Sequence, residues 1–192
     1  MFHMILLAAG FSSRFGSNKL LYEMDGKPMY RHLFDRLEAI AGEDNLETDL
    51  TVVTQYHEIG DALEGRNCFV TYNEDPSRGI SSSLITGIQS LQERGVIEDG
   101  DYLVFFTADQ PYLQKETVED FLSAVEYMEK GLAAVAVEEK MLNPCAFSTE
   151  YIPELLALKG DKGGKQVLRK HEDEIFLFQV DSEEELVDID RL

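Results

Sequence analysis

The stretch that decides the fold lies near the start of the chain and reads Met4-Ile5-Leu6-Leu7-Ala8-Ala9-Gly10-Phe11-Ser12-Ser13-Arg14-Phe15-Gly16-Ser17-Asn18-Lys19. It opens with a short apolar run followed by small residues, which predicts a buried strand that ends in a loop. Open α/β sheets bind ligands at the carboxyl ends of their strands. Glycines let backbone N–H groups approach a phosphate, and Arg14 and Lys19 add matching charge. We therefore predict an exposed loop that binds the phosphates of a nucleotide.

Two familiar phosphate-binding loops do not fit this stretch. A Walker loop has four residues between its glycines and then Gly-Lys-Ser/Thr, whereas five residues separate Gly10 from Gly16 and Ser17 follows. The Gly-x-Gly-x-x-Gly fingerprint of dinucleotide-binding folds is absent from the sequence. The loop thus belongs to some other nucleotide-binding type.

Further along the chain, apolar runs alternate with amphipathic segments. Alternating strands and helices predict an α/β fold whose largely parallel sheet is covered on both faces by helices. No repeat or linker interrupts the pattern, so residues 1–192 are predicted to form one domain. Strands are predicted at Leu50–Thr54, Cys68–Tyr72, Tyr102–Phe106 and Leu132–Val137, and helices at Met29–Ile40, Glu58–Gly65, Ile80–Arg94 and Val118–Met128.

Composition and charge exclude several classes of protein. The formal net charge of −20 repels nucleic acid and anionic membranes, so neither is an expected partner. The basic residues near the proposed loop, Arg14, Lys19 and Lys27, must act locally on a phosphorylated ligand.

No run approaches the ~20 apolar residues of a membrane span, and no signal peptide opens the sequence. Cys68 and Cys145 lack metal-ligand spacing, and reduced thiols of this kind favour a cytoplasmic protein.

A second polar constellation follows the predicted third strand. Asn73 precedes Gly79-Ile80-Ser81-Ser82-Ser83, where free N–H groups and hydroxyls coincide at the start of a helix. Such a segment can bind an anion or the polar edge of a base. The alternative is simple helix capping, which needs only one serine.

Aspartates stand at two further places. Asp109 directly follows the predicted Tyr102–Phe106 strand, where a carboxylate can hold Mg²⁺ together with substrate phosphates. The alternative is that Asp109 caps the helix beginning near Lys115. Near the end of the chain, Leu186-Val187-Asp188-Ile189-Asp190 alternates apolar and acidic residues, which predicts a strand with both aspartates on one face.

These segments together resemble one known family. The first loop resembles the Leu-Ala-Ala-Gly-x-Ser-x-Arg-x-Gly-x-x-Lys signature of the MobA/MocA-like nucleotidyltransferases, which include molybdenum cofactor cytidylyltransferases and guanylyltransferases. The serine segment, Asp109-Gln110-Pro111 and the terminal Asp-Ile-Asp resemble later family motifs in the same order. The resemblance implies the Rossmann-like three-layer α/β/α fold of nucleotide-diphospho-sugar transferases. It also implies transfer of a nucleoside monophosphate from a nucleoside triphosphate to a phosphorylated acceptor, with release of pyrophosphate.

Residue roles follow from the same resemblance. It implies that Arg14, Lys19 and Asp109 are catalytic, and that Asp109 and Asp190 hold Mg²⁺, with Asp188 as the alternate second ligand. It implies nucleotide binding by Leu7, Ala8, Ala9, Gly10, Ser12, Ser13, Arg14, Lys19, Asn73, Gly79, Ser81, Ser82 and Ser83.

Two weaker matches imply an acceptor site. Asn143-Pro144-Cys145-Ala146-Phe147 resembles the family's Pro-x-x-Phe segment on the acceptor side, and Gly160-Asp161-Lys162-Gly163-Gly164-Lys165 resembles Gly-Asp-x-Gly-Ala-Arg. The expected acceptor-binding residues are Asn143, Pro144, Asp161 and Lys165. Lys165 replaces the usual arginine, and a lysine cannot grip a phosphate with two parallel hydrogen bonds.

The resemblance also indicates substrates. The acceptor it implies is molybdopterin or the molybdenum cofactor, with an apo-molybdoenzyme as a possible recipient of the product. Ala8-Ala9-Gly10 resembles the cytidylyltransferase branch more than the guanylyltransferase branch, which favours CTP over GTP. Two alternatives stay open: a sugar- or polyol-phosphate nucleotidyltransferase, and a non-catalytic protein that delivers a cofactor.

Overall fold

A computed structural model of the chain describes residues 1–10, 18–43 and 45–189. Its strands are β1 (Phe2–Ala8), β2 (Glu23–Met24), β3 (Lys27–Pro28), β4 (Thr48–Thr54), β5 (Phe69–Tyr72), β6 (Tyr102–Thr107), β7 (Leu132–Val137), β8 (Lys140–Ser148) and β9 (Ile175–Gln179). Its α-helices are α1 (Met29–Ala41), α2 (His57–Ala62), α3 (Ile80–Arg94), α4 (Lys115–Met128), α5 (Ile152–Leu156) and α6 (Lys165–Leu168).

Seven of these strands form one sheet in the order β5-β4-β1-β6-β8-β7-β9, and β2 pairs with β3 in a small separate hairpin. Strand β1 is an inner strand, third in this order, and runs parallel to β4 and β6. Strand β8 runs antiparallel to its two neighbours, β6 and β7, and β9 is parallel to β7. The predicted α/β fold with a mostly parallel sheet is confirmed.

Alternate residues of β1 explain why helices cover both faces of the sheet. Met4 and Leu6 pack into the cluster that contains Leu33 and Leu37 of α1 and Phe121 of α4. Ile5 points to the other face and packs with Leu84 and Ile88 of α3. Successive side chains of a strand point to opposite faces, so a continuous apolar run buries both. The result is a three-layer α/β/α arrangement.

The predicted elements match the structure unevenly. Helix α3 and strand β7 have the predicted ends, whereas β8, β9, α5 and α6 were not predicted. Pro28 lies in β3 and immediately precedes α1.

The predicted C-terminal strand is wrong for its described residues. Leu186 ends a 3₁₀ turn, Glu183–Leu186, and residues 187–189 pair with no strand. The reason is that their backbone bonds go to a loop: the Leu186 carbonyl accepts from Gln110 Nε2 at 3.0 Å, and the Ile189 N–H donates to the Asp109 carbonyl at 2.9 Å. None of the described helices is both long and apolar enough to cross a membrane.

A buried histidine lies near the amino end of β1. His3 is fully buried, with Nδ1 3.1 Å from Asp49 Oδ1 and Nε2 3.2 Å from Asp101 Oδ2. Burial opposes the charge on the imidazole, but the hydrogen bonds and charges of Asp49 and Asp101 outweigh it and raise the pKa of His3. Both ring nitrogens face carboxylates, so the doubly protonated ring satisfies both partners.

This cluster predicts a pH dependence of stability. Protonated His3 stabilises the fold most below the ordinary pKa of a histidine, about 6.5, and its contribution is lost as the pH rises through the raised folded-state pKa. We expect the free energy of unfolding, relative to that of His3→Gln, to fall between pH 6 and pH 9. Urea denaturation of both proteins across that range measures the difference. A constant difference would show that His3 does not titrate as described.

Candidate active site

The carboxyl ends of β1 and β6 and the start of α3 surround a first cavity of about 280 Å³. The main chain brings these parts together because β1 and β6 are hydrogen-bonded in register, with Leu7 opposite Thr107. Several residues predicted to bind nucleotide line this cavity. They are Leu7, Ala9, Gly10, Lys19, Gly79 and Ser83. Asp109, predicted to be a catalytic residue and a metal ligand, also lines it.

Lys19 and Asp109 are bonded to each other at this cavity. Lys19 Nζ donates to Asp109 Oδ2 at 2.7 Å and to the Ile189 carbonyl at 3.2 Å. The Lys19 side chain is only 12% exposed, so the prediction that it is an exposed loop residue is wrong. Lys19 instead begins a short 3₁₀ turn that Asn18 caps by accepting the Leu20 N–H. The turn directs the ammonium towards the carboxylate after β6.

Side chains at the end of β4 and just after it form hydrogen bonds to the backbone that leads into the first loop. Thr54 Oγ1 donates to the Ala8 carbonyl at 3.0 Å, Gln55 Nε2 to that of Ala9 at 2.7 Å, and Tyr56 Oη to that of Gly10 at 2.9 Å. Three consecutive carbonyls are therefore satisfied from the β4 side. These residues were not predicted from the sequence, although three polar residues at the end of β4 and just after it are a usable signal. The predicted site residues Ser12, Ser13 and Arg14 lie outside the described residues, and their roles stay predictions.

The serine segment stabilises the start of α3 through hydrogen bonds and also lies at the first cavity. Asn73 Nδ2 donates to Ser82 Oγ at 2.8 Å and to Ser83 Oγ at 2.9 Å, and Ser82 Oγ donates to the Gly79 carbonyl at 2.8 Å. Asn73, Ser81 and Ser82 are buried. Gly79, Ile80 and Ser83 are the members of this segment that line the first cavity. The network thus fixes the start of α3 beside the cavity.

Gly79 permits a close approach between α3 and the loop that follows α5. Its φ of 84° and ψ of −176° suit glycine almost exclusively. A Cβ there would lie 2.5 Å from Asp161 Oδ1 and 2.5 Å from the Gly160 carbonyl carbon. The Ser81 N–H donates to the Gly160 carbonyl at 3.1 Å. Asp161 is thereby brought to the wall of the first cavity.

Asp109 is not the cap of the following helix. Helix α4 begins at Lys115, and Gln114 occupies the N-cap position, five residues beyond Asp109. Its neighbour Gln110 is 1% exposed and bonds to the C-terminal segment. That segment therefore lies against the Asp109 loop and carries the exposed Asp188. Asp190, the predicted second metal ligand, lies outside the described residues.

Asp109 has the chemistry of a ligand for Mg²⁺. Among residues 1–10, 18–43 and 45–189, no group of three or more His, Cys, Asp or Glu side chains could hold a metal by itself. Mg²⁺ bound with a nucleotide needs only one or two carboxylates, because phosphates and water complete its shell. A single carboxylate at the edge of the first cavity fits that requirement.

A second cavity of about 300 Å³ adjoins the first and shares Leu7, Ile80, Thr107 and Asp161 with it. The predicted acceptor residues Asn143, Asp161 and Lys165 line it. Asn143 and buried Pro144 lie in a bulge of β8, between the pairs Val135↔Leu142 and Ala134↔Cys145. A bulge commonly redirects a side chain next to a site. It places Asn143 at this cavity.

Two cations of the second cavity were missed in the sequence analysis. Lys162 and Arg169 line it together with Lys165. The usable signal was spacing, since Arg169 follows Lys165 by one helical turn. Lys27, which the sequence placed near the first loop, instead bonds to Asp35 at 3.1 Å.

Cys145 lines the same cavity, but its thiol is unreactive. Burial raises the pKa of the Cys145 thiol to about 12, and the charge of Lys165 only partly opposes this effect. The thiol therefore stays protonated near neutral pH. A protonated, buried thiol is neither a good nucleophile nor a good metal ligand.

The sheet order, the lysine–aspartate pair and the two adjoining cavities define an α/β protein with a two-part ligand site at the carboxyl ends of its strands. A solved nucleotidyl transferase from Methanothermobacter has the same fold, with a TM-score of 0.77, 21% identity and coverage of 100% of this chain and 92% of that chain. Residues 4–175 match the family model described as MobA-like NTP transferase domain. The chain belongs to that family.

Two curated relatives show how the family varies. The chain is 27% identical over 154 residues to a probable molybdenum cofactor guanylyltransferase from Natronomonas pharaonis. The aligned region covers 80% of this chain and 69% of that protein. It is 29% identical over 144 residues to an 8-amino-3,8-dideoxy-manno-octulosonate cytidylyltransferase from Shewanella piezotolerans. That aligned region covers 72% of this chain and 56% of that protein. The two names share nucleotidyl transfer and differ in nucleotide and acceptor.

The close approach at Gly79 can be tested with a matched pair of glycine variants. Gly95 also has a positive φ, 65°, but nothing lies within 4 Å of its Cβ position. Gly95→Ala should therefore cost only the ~1–2 kcal/mol of a left-handed residue. Gly79→Ala should lower the free energy of unfolding by roughly a further 1 kcal/mol or more, because its Cβ meets backbone. Chemical denaturation measures both, and equal losses would contradict the described contact.

Proposed function

We propose that the protein is a Mg²⁺-dependent enzyme that transfers a nucleoside monophosphate from a nucleoside triphosphate to a phosphorylated acceptor and releases pyrophosphate. The observation that carries this proposal is the 2.7 Å bond between Lys19 and Asp109, which puts a cation and a hard anionic ligand together at the first cavity. Membership of the MobA-like NTP transferase family supports it.

The two cavities suit two substrates. In the first, the triphosphate lies against the backbone of Ala9 and Gly10 and against Lys19. In the second, the acceptor lies near Asn143 and Lys165. The wall they share lets the two substrates meet in line, and such positioning supplies much of the rate in this kind of reaction.

The reaction needs no nucleophile from the protein. An oxygen of the acceptor's phosphate forms a bond to the α-phosphorus, and the bond from that phosphorus to the oxygen bridging to the β-phosphate breaks. Pyrophosphate leaves with the electron pair of the broken bond. Lys19, with Arg14, stabilises the charge that develops on the leaving group. Bound Mg²⁺, held by Asp109 and by Asp190, would neutralise phosphate charge. In a chain of net charge −20, we expect the metal to be obligatory.

For the substrates, we propose molybdopterin or the molybdenum cofactor as acceptor and CTP as nucleotide, with an apo-molybdoenzyme as the recipient of the product. The name of the Natronomonas relative supports this acceptor, and the Ala8-Ala9-Gly10 form of the loop favours CTP over GTP. A second candidate is a nucleotidyltransferase that acts on a sugar or polyol phosphate. The name of the Shewanella relative supports cytidylyl transfer but does not name a phosphorylated acceptor. Pyrophosphate release from each acceptor with each of the four triphosphates tests the choice.

The role of Lys19 can be tested against a lysine outside the site. Lys19→Ala should weaken triphosphate binding or turnover by tenfold or more, since a charge-assisted contact contributes ~1.5–3 kcal/mol. Lys27→Ala removes the same charge from an ion pair with Asp35 and should leave both unchanged. Thermal shift with each triphosphate, followed by pyrophosphate release, measures the two effects. If both variants behave alike, Lys19 does not contact the triphosphate.

The role of Asp109 can be tested through the metal. Asp109→Asn keeps the shape of the side chain and removes its charge, so turnover should fall by orders of magnitude at low Mg²⁺ and recover only in part at high Mg²⁺. Asp190→Asn should show a milder defect and Asp188→Asn little change. Asp173→Asn, an exposed carboxylate on a distant turn, is the control for the loss of one charge. A normal Mg²⁺ dependence in Asp109→Asn would remove this carboxylate from the metal site.

A further inference from the structure

The second cavity gathers positive charge that the rest of the molecule does not neutralise. The protein has 37 acidic and 17 basic residues, and many described basic side chains bond to a carboxylate. Lys162, Lys165 and Arg169 all line this cavity, and in the described part of the chain no carboxylate lies within ion-pair distance of any of the three. The Asp161 carboxylate also lines the cavity, so three positive charges and one negative charge leave a net charge of +2 there. A net positive cavity in an acidic protein indicates a site for an anion.

Two of these cations are held on one face of a fixed element. The Arg169 N–H donates to the Lys165 carbonyl at 3.0 Å, so the helical turn continues and the two side chains leave the same side of it. Val167 and Leu168, between them, are fully buried and anchor the turn. Gly164 lets α6 pack directly on Phe147, because a Cβ there would lie 2.8 Å from Phe147 Cζ. The cations therefore extend from an anchored base.

We propose that Arg169 binds the acceptor's phosphate through the two parallel hydrogen bonds of its guanidinium, with Lys165 and Lys162 completing the site. This inference rests on the proposed function and deepens it, because it assigns the acceptor's phosphate to Arg169 and Lys162, two residues not predicted from the sequence. A guanidinium at position 169 supplies the planar fork that Lys165 cannot provide. A lining with three cations and the Asp161 carboxylate, net +2, matches a phosphate dianion better than a single carboxylate or a neutral hydroxyl. The site thus selects acceptors by their phosphate.

Binding of inorganic phosphate, measured by titration calorimetry at pH 8, tests the site without turnover. Arg169→Ala should weaken phosphate binding by about tenfold or more, and Arg169→Lys should restore it only in part. Lys159→Ala is the matched control, because Lys159 is an exposed lysine near the same loop that does not line the cavity. Acetate, a single carboxylate, should bind far more weakly than phosphate to the unchanged protein. Arg169→Gln gives a second variant should the alanine variant fold poorly.

The outcomes separate this inference from the proposed function. Equal phosphate binding by the Arg169→Ala and Lys159→Ala variants, or equal binding of acetate and phosphate, would overturn it. Phosphate binding that is lost in Lys19→Ala and kept in Arg169→Ala would also overturn it, because the phosphate would then occupy the first cavity. Triphosphate affinity should stay unchanged in Arg169→Ala. If the protein binds no triphosphate at all, the proposed function fails while the phosphate titration still decides the role of Arg169.

Discussion

Lys19 Nζ and Asp109 Oδ2 stand 2.7 Å apart although 90 residues separate them in the chain, and the site is arranged around this bond. The register of β1 and β6 makes it possible, because Leu7 lies opposite Thr107 and both strands end at the same level. The Ile189 carbonyl accepts from the same ammonium, so the C-terminal segment is tied to the loop after β1 and to the end of β6. Both charged side chains are largely shielded from water, at 12% and 20% exposure, which strengthens the attraction between them.

Positive charge is distributed differently inside and outside the site. On the outer surface of α1, Arg31 and Lys27 share Asp35, and Arg66 bonds to Glu38, so these charges cancel locally. The cations of the second cavity have no comparable carboxylate partner in the described structure. A protein of net charge −20 can therefore attract an anion over a few ångströms at one place while repelling anions over most of its surface.

The sequence predicted the bounds of an element correctly where its apolar periodicity and the residues typical of its ends agreed. Helix α3 has an apolar face repeating every three or four residues and a glycine at each end, and its predicted bounds are the observed ones. Strand β8 was missed because Asn143-Pro144 argues against a strand, and only a bulge against β7 accommodates the two residues. The C-terminal alternation resembled a strand because sequence does not show that a buried glutamine takes the backbone bond. For the site, residue types predicted which loops matter, whereas the pairing of Lys19 with Asp109 and of Asn73 with two serines depends on tertiary contacts.

Strand β8 allows the two halves of the site to vary separately. Its first residues enter the second cavity at the bulge, and from Cys145 onward it is bonded in register to β6 and β7. The residues of β8 before Cys145 form no pair with β6, so strand hydrogen bonds do not transmit a change there to β6 or β1. The second cavity can thus change at Asn143 without altering the strand ends that line the first cavity. Relatives named for a molybdenum cofactor and for 8-amino-3,8-dideoxy-manno-octulosonate are consistent with such separate variation.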